Sequence, residues 1–139
     1  MPFPMVKTIL LVDDDELVRE FTARSLVKSN FTVIEAASGE AALKIFQLRR
    51  EEIDFVITDM VMPNLFGDQL ALRLWETDPS LPVLFISGNP PEALEGGVLL
   101  QSGKNYLRKP FAIDELLSLI KSVAAERAFG FGIYRLKAL

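Results

Sequence analysis

The sequence has no cysteine and no histidine, and only one tryptophan in 139 residues. Without thiols it can build neither a disulfide framework nor a thiolate metal site. Without imidazole it has no histidine general base, no histidine metal ligand and no histidine to carry a phosphoryl group. Long hydrophobic runs are missing too: no apolar stretch approaches the roughly 18 residues that cross a bilayer. The opening Met1-Pro2-Phe3-Pro4-Met5 lacks the basic and then apolar regions of a secretory leader, so the expectation is a cytoplasmic protein with no membrane partner. Positive charge is the minority: 15 Lys and Arg stand against 19 Asp and Glu, a net charge of -4. That balance argues against the clustered basic face of a nucleic-acid binder.

Half of the residues are hydrophobic, enough for one ordinary domain with a real core. From Lys7 onward, apolar runs of four to six residues alternate with amphipathic stretches of ten to fifteen, the pattern of strand-helix units around a parallel sheet. Strands are expected near 7–12, 32–35, 54–58, 83–86 and 105–107. The first helix, about 15–28, carries Leu17, Val18, Phe21 and Ser25 on one face. The second opens after Ser38, an N-cap residue type, and buries Ala41, Ala42, Ile45 and Phe46. The third starts near Gly67, shows Leu70, Ala71 and Leu74 at helical spacing, and ends before Asp78-Pro79. Between Pro91 and Leu100 a fourth helix is weakened by Gly96-Gly97, each glycine costing about 1 kcal/mol against alanine. The fifth, about 113–127, places Asp114 and Glu115 in its first turn and turns Leu116, Leu117, Ile120, Val123 and Ala124 inward. The closing run from Phe129 to Leu139 fits neither element and reads as a tail.

Four strand ends carry polar chemistry. Ile9-Leu10-Leu11-Val12 runs into Asp13-Asp14-Asp15, Phe55-Val56-Ile57-Thr58 into Asp59, Val83-Leu84-Phe85-Ile86 into Ser87-Gly88, and Tyr106-Leu107 reaches Lys109-Pro110 two residues on. In an open parallel sheet the carboxyl edge is where ligands bind. Three carboxylates gathered there repel one another, and a divalent cation removes the problem. Mg²⁺ takes octahedral oxygen ligands, usually one or two protein carboxylates with waters and phosphate oxygens. Asp14 and Asp59 are the direct ligands of this reading, Asp13 acts through water, and the backbone carbonyl of Val61 completes the set. Asp59 is also a carboxylate nucleophile for a phosphoryl group, with Ser87 a donor and Lys109 a positive charge for the phosphoryl oxygens. Taken singly, each motif reads as an N-cap, a turn or a surface loop; in order on successive strand ends they specify a site.

Leu11-Val12-Asp13-Asp14-Asp15, Thr58-Asp59-Met60-Val61-Met62-Pro63, Ile86-Ser87-Gly88 and Tyr106-Leu107-Arg108-Lys109-Pro110-Phe111 together resemble the receiver domain of two-component response regulators. The resemblance covers about residues 7–125, and it sets a receiver domain at 7–127 between an extension at 1–6 and a tail at 128–139. It implies an α/β, flavodoxin-like, doubly wound five-stranded parallel sheet in order 2-1-3-4-5 with helices on both faces. It implies that Asp59 takes phosphate from the phosphohistidine of a sensor histidine kinase or phosphotransfer protein, that Asp13 and Asp14 form the acidic pair for Mg²⁺, and that Ser87 and Lys109 hold the phosphoryl group. Ser87 and Tyr106 match the family's switch, which would re-face the surface of the fourth helix, fifth strand and fifth helix, also a possible homodimer face. A cis peptide before Pro110 is implied as well. The chain would be a signalling phosphoacceptor and not an enzyme. The wording around Ser87 and Lys109 looks like receivers fused to hybrid sensor kinases.

Three departures from the pattern stand out. Ser occupies position 87 where Thr is commoner, Gly103-Lys104-Asn105 makes the fifth strand more basic, and Val61 and Asn89 occupy the two positions that tune acyl-phosphate hydrolysis in the family. Competing readings fit less well. A haloacid-dehalogenase-like phosphatase would use Asp13 and Asp15 but needs an acidic pair on a strand end beyond Lys109, where only helical Asp114, Glu115 and Glu126 remain. A phosphate-binding loop from Gly97 to Lys104 is one residue too long and has Asn105 in place of Ser or Thr. A Ca²⁺ loop fails at Leu17, its third ligand position. A phosphorylation-independent adaptor of the same fold would have no chemical need for the acidic pair, Asp59, Ser87 and Lys109 together.

Overall fold

The computed structural model describes residues 5–90, 100–101 and 103–129. The helix expected between Pro91 and Leu100, save Leu100, and residues 130–139 of the tail lie outside them. The described chain runs β1 (Thr8–Val12), α1 (Glu16–Lys28), β2 (Thr32–Ala36), α2 (Gly39–Arg49) with a single 3-10 turn at Arg50–Glu52, β3 (Phe55–Asp59), α3 (Gly67–Thr77), β4 (Val83–Ser87), β5 (Tyr106–Arg108) and α4 (Ile113–Phe129). The five strands form one parallel sheet in order β2-β1-β3-β4-β5, as the resemblance implies.

The burial of each strand explains its wording. β3 and β4 are buried along their whole length, and they read as unbroken apolar runs because helices cover both faces. Strand β2 lies at an edge and is only partly buried, with Thr32 and Glu35 exposed and Ala36 buried. Side chains of β1 part to opposite faces with the two-residue period of a strand. Leu10 and Val12 join the core beneath α2 and α3 with Phe46, Leu70 and Leu74, whereas Ile9 and Leu11 join the core beneath α1 and α4 with Leu26, Leu116 and Ile120. Among the described residues the two cores lie on opposite faces of the sheet.

One face was oriented differently from its apolar spacing. Leu17 and Phe21 of α1 are 77% and 69% exposed, while Thr22, Ala23 and Leu26 meet the sheet. Two apolar rows compete on this helix; the row with small Thr22 and Ala23 lets the helix axis approach the strands, and Leu26 fills the space below. The row with Leu17 and Phe21 is left outside, on the helix that follows directly from the carboxyl end of β1. Helix α1 is capped by Asp15, whose carboxylate accepts the N–H groups of Leu17 and Val18 at 3.1 and 3.2 Å. Ser38 caps α2 through the Ala41 N–H, as its residue type suggests.

Candidate functional site

Parallel register brings the four polar strand ends together. Val12 pairs with Thr58, so Asp13 and Asp59 leave adjacent strands side by side at the point where the sheet's winding reverses. Asp59 pairs with Ile86, which puts Ser87 one step further out, and Ser87 pairs with Arg108, which delivers Lys109. The peptide between Lys109 and Pro110 is cis, and the Lys109 N–H donates to the Ser87 carbonyl at 2.8 Å.

The Lys109 ammonium donates to Asp13 Oδ2 at 3.0 Å and to Asp59 Oδ2 at 3.2 Å, from 96 and 50 residues away in sequence. Carboxylate oxygens of Asp13, Asp14 and Asp59 lie within 4.8 Å of one another. Asp13 and Asp59 are buried and Asp14 is exposed. Burial pushes the Asp59 carboxyl up to about 6, with the Asp13 charge adding to the rise and the Lys109 charge opposing it. Burial works against the Lys109 charge, but its hydrogen bond to Asp13 and the charges of Asp59 and Asp13 outweigh it and raise its pKa. One ammonium thus faces three carboxylates, an anionic excess that fits a hard cation with oxygen ligands. The donor set separates the three. Asp13 spends Oδ1 on the Asp15 N–H at 2.9 Å and Oδ2 on Lys109, so it is already held in place. Asp14 projects to solvent at the mouth of the cluster.

Backbone donors complete the surroundings. The Val61 N–H donates to Asp59 Oδ1 at 3.3 Å, and the Asn89 N–H donates to Ser87 Oγ at 3.1 Å. Ser87 is buried, and its hydroxyl proton is not consumed by the bond it accepts. Tyr106 has no exposed surface; its ring is turned inward among the core residues beneath α2 and α3. Lys104 and Arg108 are exposed beside it, the basic edge read from the sequence. Every site residue named from the sequence therefore lies at or beside this edge. Arg19 was not among them. Its guanidinium donates to the Asp13 carbonyl at 2.8 Å and pairs with Glu35 at 3.1 Å, and only its position one turn after Asp15 marks it.

Fold and site together define a phosphoacceptor domain of two-component signalling. The chain belongs to the response regulator receiver domain family, whose description matches residues 9–121. Among curated proteins it is 35% identical over 116 residues to the sensor kinase CckA of Brucella abortus (strain 2308), a match covering 84% of this chain and 12% of CckA. It is 33% identical over 118 residues to the response regulator receiver protein CpdR of the same strain, covering 85% of this chain and 97% of CpdR. The chain thus spans a small part of the one relative and nearly all of the other. Among solved structures, the receiver domain of the hybrid histidine kinase CckA aligns with a TM-score of 0.69 at 33% identity, covering 84% of this chain and 98% of that one. Receiver domains act with histidine kinases or phosphotransfer proteins as signalling phosphoacceptors. Among the described residues no helix is long and apolar enough to cross a membrane.

Proposed function

We propose that Asp59 is the residue that accepts the phosphoryl group, that Asp14 and Asp59 hold Mg²⁺ directly with Asp13 acting through water and the Val61 carbonyl completing the protein's share, and that Ser87 and Lys109 hold the phosphoryl oxygens. The observation that carries this reading is the ammonium of Lys109 set between Asp13 and Asp59. An Asp59 oxygen attacks phosphorus in line, the P–N bond of a partner phosphohistidine breaks with its electron pair passing to the imidazole nitrogen, and an acyl phosphate results. Mg²⁺, when bound, supplies charge neutralisation on the phosphoryl oxygens. Lys109 gives up its Asp59 contact to the incoming group, and the Ser87 hydroxyl donates to it. Ser87 and the inward Tyr106 form the switch that alters the surface of β5 and α4, which is also the face for a homodimer; the helix expected between Pro91 and Leu100 as the third part of that surface lies outside the described residues, save Leu100. The direct test is intact mass after incubation with acetyl phosphate, with and without Mg²⁺. One Mg²⁺-dependent phosphoryl adduct is expected; no adduct, with Mg²⁺ binding also absent, would establish the adaptor reading instead.

A sensor histidine kinase or phosphotransfer protein has to bring its phosphohistidine to the Asp59 end of the sheet. Leu17 and Phe21, one helical turn apart on α1 and largely exposed, offer that partner an apolar face beside the acidic cluster. Phe21→Ala is expected to slow phosphotransfer from the partner by about tenfold or more, the loss of one aromatic contact, and to leave labelling by acetyl phosphate unchanged. Equal loss with both donors would refute the docking role.

Val61 is exposed next to Asp59 and its side chain offers an attacking water no hydrogen bond. Val61→Asn is expected to speed loss of the phosphoryl group about fivefold, roughly the 1 kcal/mol of one hydrogen bond. Decay followed by mass spectrometry decides it, and an equal or slower rate would sink the idea.

A further inference from the structure

The acidic pair stands on a turn that is pinned from outside the site. Asp13 leaves β1 with its N–H donating to the Ala36 carbonyl of β2 at 3.1 Å. Its carbonyl accepts Arg19 Nη1 at 2.8 Å, from the second turn of α1. The same guanidinium turns its Nε to Glu35 Oε1 of β2 at 3.1 Å, and only 14% of the Arg19 side chain is exposed. A planar fork held at one edge by Glu35 has no freedom to swing away from the Asp13 carbonyl at the other. Because the Asp13-Asp14 peptide is planar, fixing that carbonyl also fixes the Asp14 N–H and Cα; the next peptide is held by the Asp15 N–H on Asp13 Oδ1 at 2.9 Å, and the two planes together set the direction in which the Asp14 side chain leaves the backbone. Asp14 is exposed and sits at the mouth of the carboxylate cluster, so its direction depends on the turn more than on packing.

We propose that Arg19 is a positioning residue for the cation site: clamped by Glu35, it holds the Asp13-Asp14 peptide so that the Asp14 carboxylate meets those of Asp13 and Asp59. This rests on the Mg²⁺ reading of the cluster. A second consequence of the pairing is electrical. Glu35 cancels the Arg19 charge, so the guanidinium orders the turn without repelling the cation that the turn serves. Outer groups that orient metal ligands are generally worth 10–100-fold in metal affinity.

Geometry and charge make opposite forecasts, which calorimetric Mg²⁺ titration separates without any phosphoryl donor. If charge alone mattered, Arg19→Gln would leave Glu35 uncompensated and tighten Mg²⁺ binding, while Glu35→Gln would weaken it. With Arg19 as the anchor, both single variants weaken binding, and the double variant Arg19→Gln/Glu35→Gln, unchanged in net charge, weakens it about tenfold. Arg19→Lys, which keeps the charge but has no fork to grip both partners, is expected to fall between wild type and Arg19→Gln. Labelling by acetyl phosphate should shift to higher Mg²⁺ concentration and recover the wild-type rate at saturation. Melting curves without Mg²⁺ confirm that each variant is folded; should Arg19→Gln not fold, the Arg19→Lys titration decides, since charge alone forecasts wild-type affinity for it. Wild-type affinity in the double variant, or tighter binding by Arg19→Gln, overturns the proposal. Wild-type protein that binds no Mg²⁺ overturns the cation reading itself and Arg19's role with it.

Discussion

Asp59→Asn is expected to take no phosphoryl group from acetyl phosphate or from a phosphohistidine partner, and to melt at a higher temperature than wild type in Mg²⁺-free buffer at neutral pH. The first part follows from chemistry: an amide oxygen cannot form the acyl phosphate. The second follows from the cost of charge at this position. The folded-state pKa of Asp59 is pushed up to about 6 from an ordinary 3.8, chiefly by burial. A raised carboxyl pKa means the folded state binds the proton more tightly than the unfolded chain does. The stability so gained is fully present below about pH 3.8 and is lost as the pH rises through about 6. At pH 7 wild type therefore carries a penalty of about 2 kcal/mol that Asn does not, after allowance for solvent near the cluster. The difference should shrink toward pH 4 and, with the cation held as proposed, shrink again with added Mg²⁺, because a ligand of the folded state stabilises it. Thermal melts of both proteins at pH 4, 5.5 and 7 check the sign; a variant less stable at pH 7 would show that the hydrogen bonds from Lys109 and Val61 outweigh the burial of the charge.

Gly67→Ala is expected to damage both the fold and the site. A Cβ at position 67 would overlap the Asp59 carbonyl oxygen and lie 2.9 Å from the Met60 Cα. Both obstacles are backbone, and the Gly67 N–H is bonded to the Met60 carbonyl at 2.8 Å, so α3 begins tight against the end of β3. Relief requires the last residue of β3 to move, and that residue is Asp59. Overpacking of this kind costs about 3 kcal/mol, a fall of about 10 °C in Tm for a domain of this size. At a temperature where the variant is still folded, the rate of labelling by acetyl phosphate should also fall, because the carboxylate no longer meets Lys109 and Asp14 in register. A variant with wild-type Tm and wild-type labelling would show that the β3–α3 loop gives way freely. The contrast is Gly39, whose Cβ would meet only side-chain atoms of Leu65, at 2.7 Å and beyond; a side chain can turn aside where a strand end cannot.

How far the sequence carried the structure depends on the kind of information each feature needs. Strands β3 and β4 were legible because burial on both faces leaves an uninterrupted apolar run, and their terminal Asp59 and Ser87 were legible because a polar residue there breaks the run. Helix α3 was legible from Leu70, Ala71 and Leu74 at helical spacing, all buried as expected. Helix α1 was legible as a helix but not in its orientation. Its two apolar rows are equivalent to periodicity, and only the fit of Thr22, Ala23 and Leu26 against the sheet turned Leu17 and Phe21 outward.

By itself, the sequence determined the order of the elements, the absence of any histidine or cysteine chemistry, and the set of polar residues at the strand ends. These depend on local periods of two and 3.6 residues and on residue type, which neighbours along the chain suffice to express. Only the tertiary structure decided that the Lys109 ammonium sits between Asp13 and Asp59, and that Arg19, clamped by Glu35, grips the Asp13 carbonyl. It likewise decided that Gly67 is packed against the backbone of β3. The Lys109 contacts join residues 96 and 50 apart in the chain, and the nearer ones, Arg19 on Asp13 and Gly67 on Asp59, depend on how a helix sits against a strand end; such distances are set by how the two cores pack the sheet, and no local pattern records them.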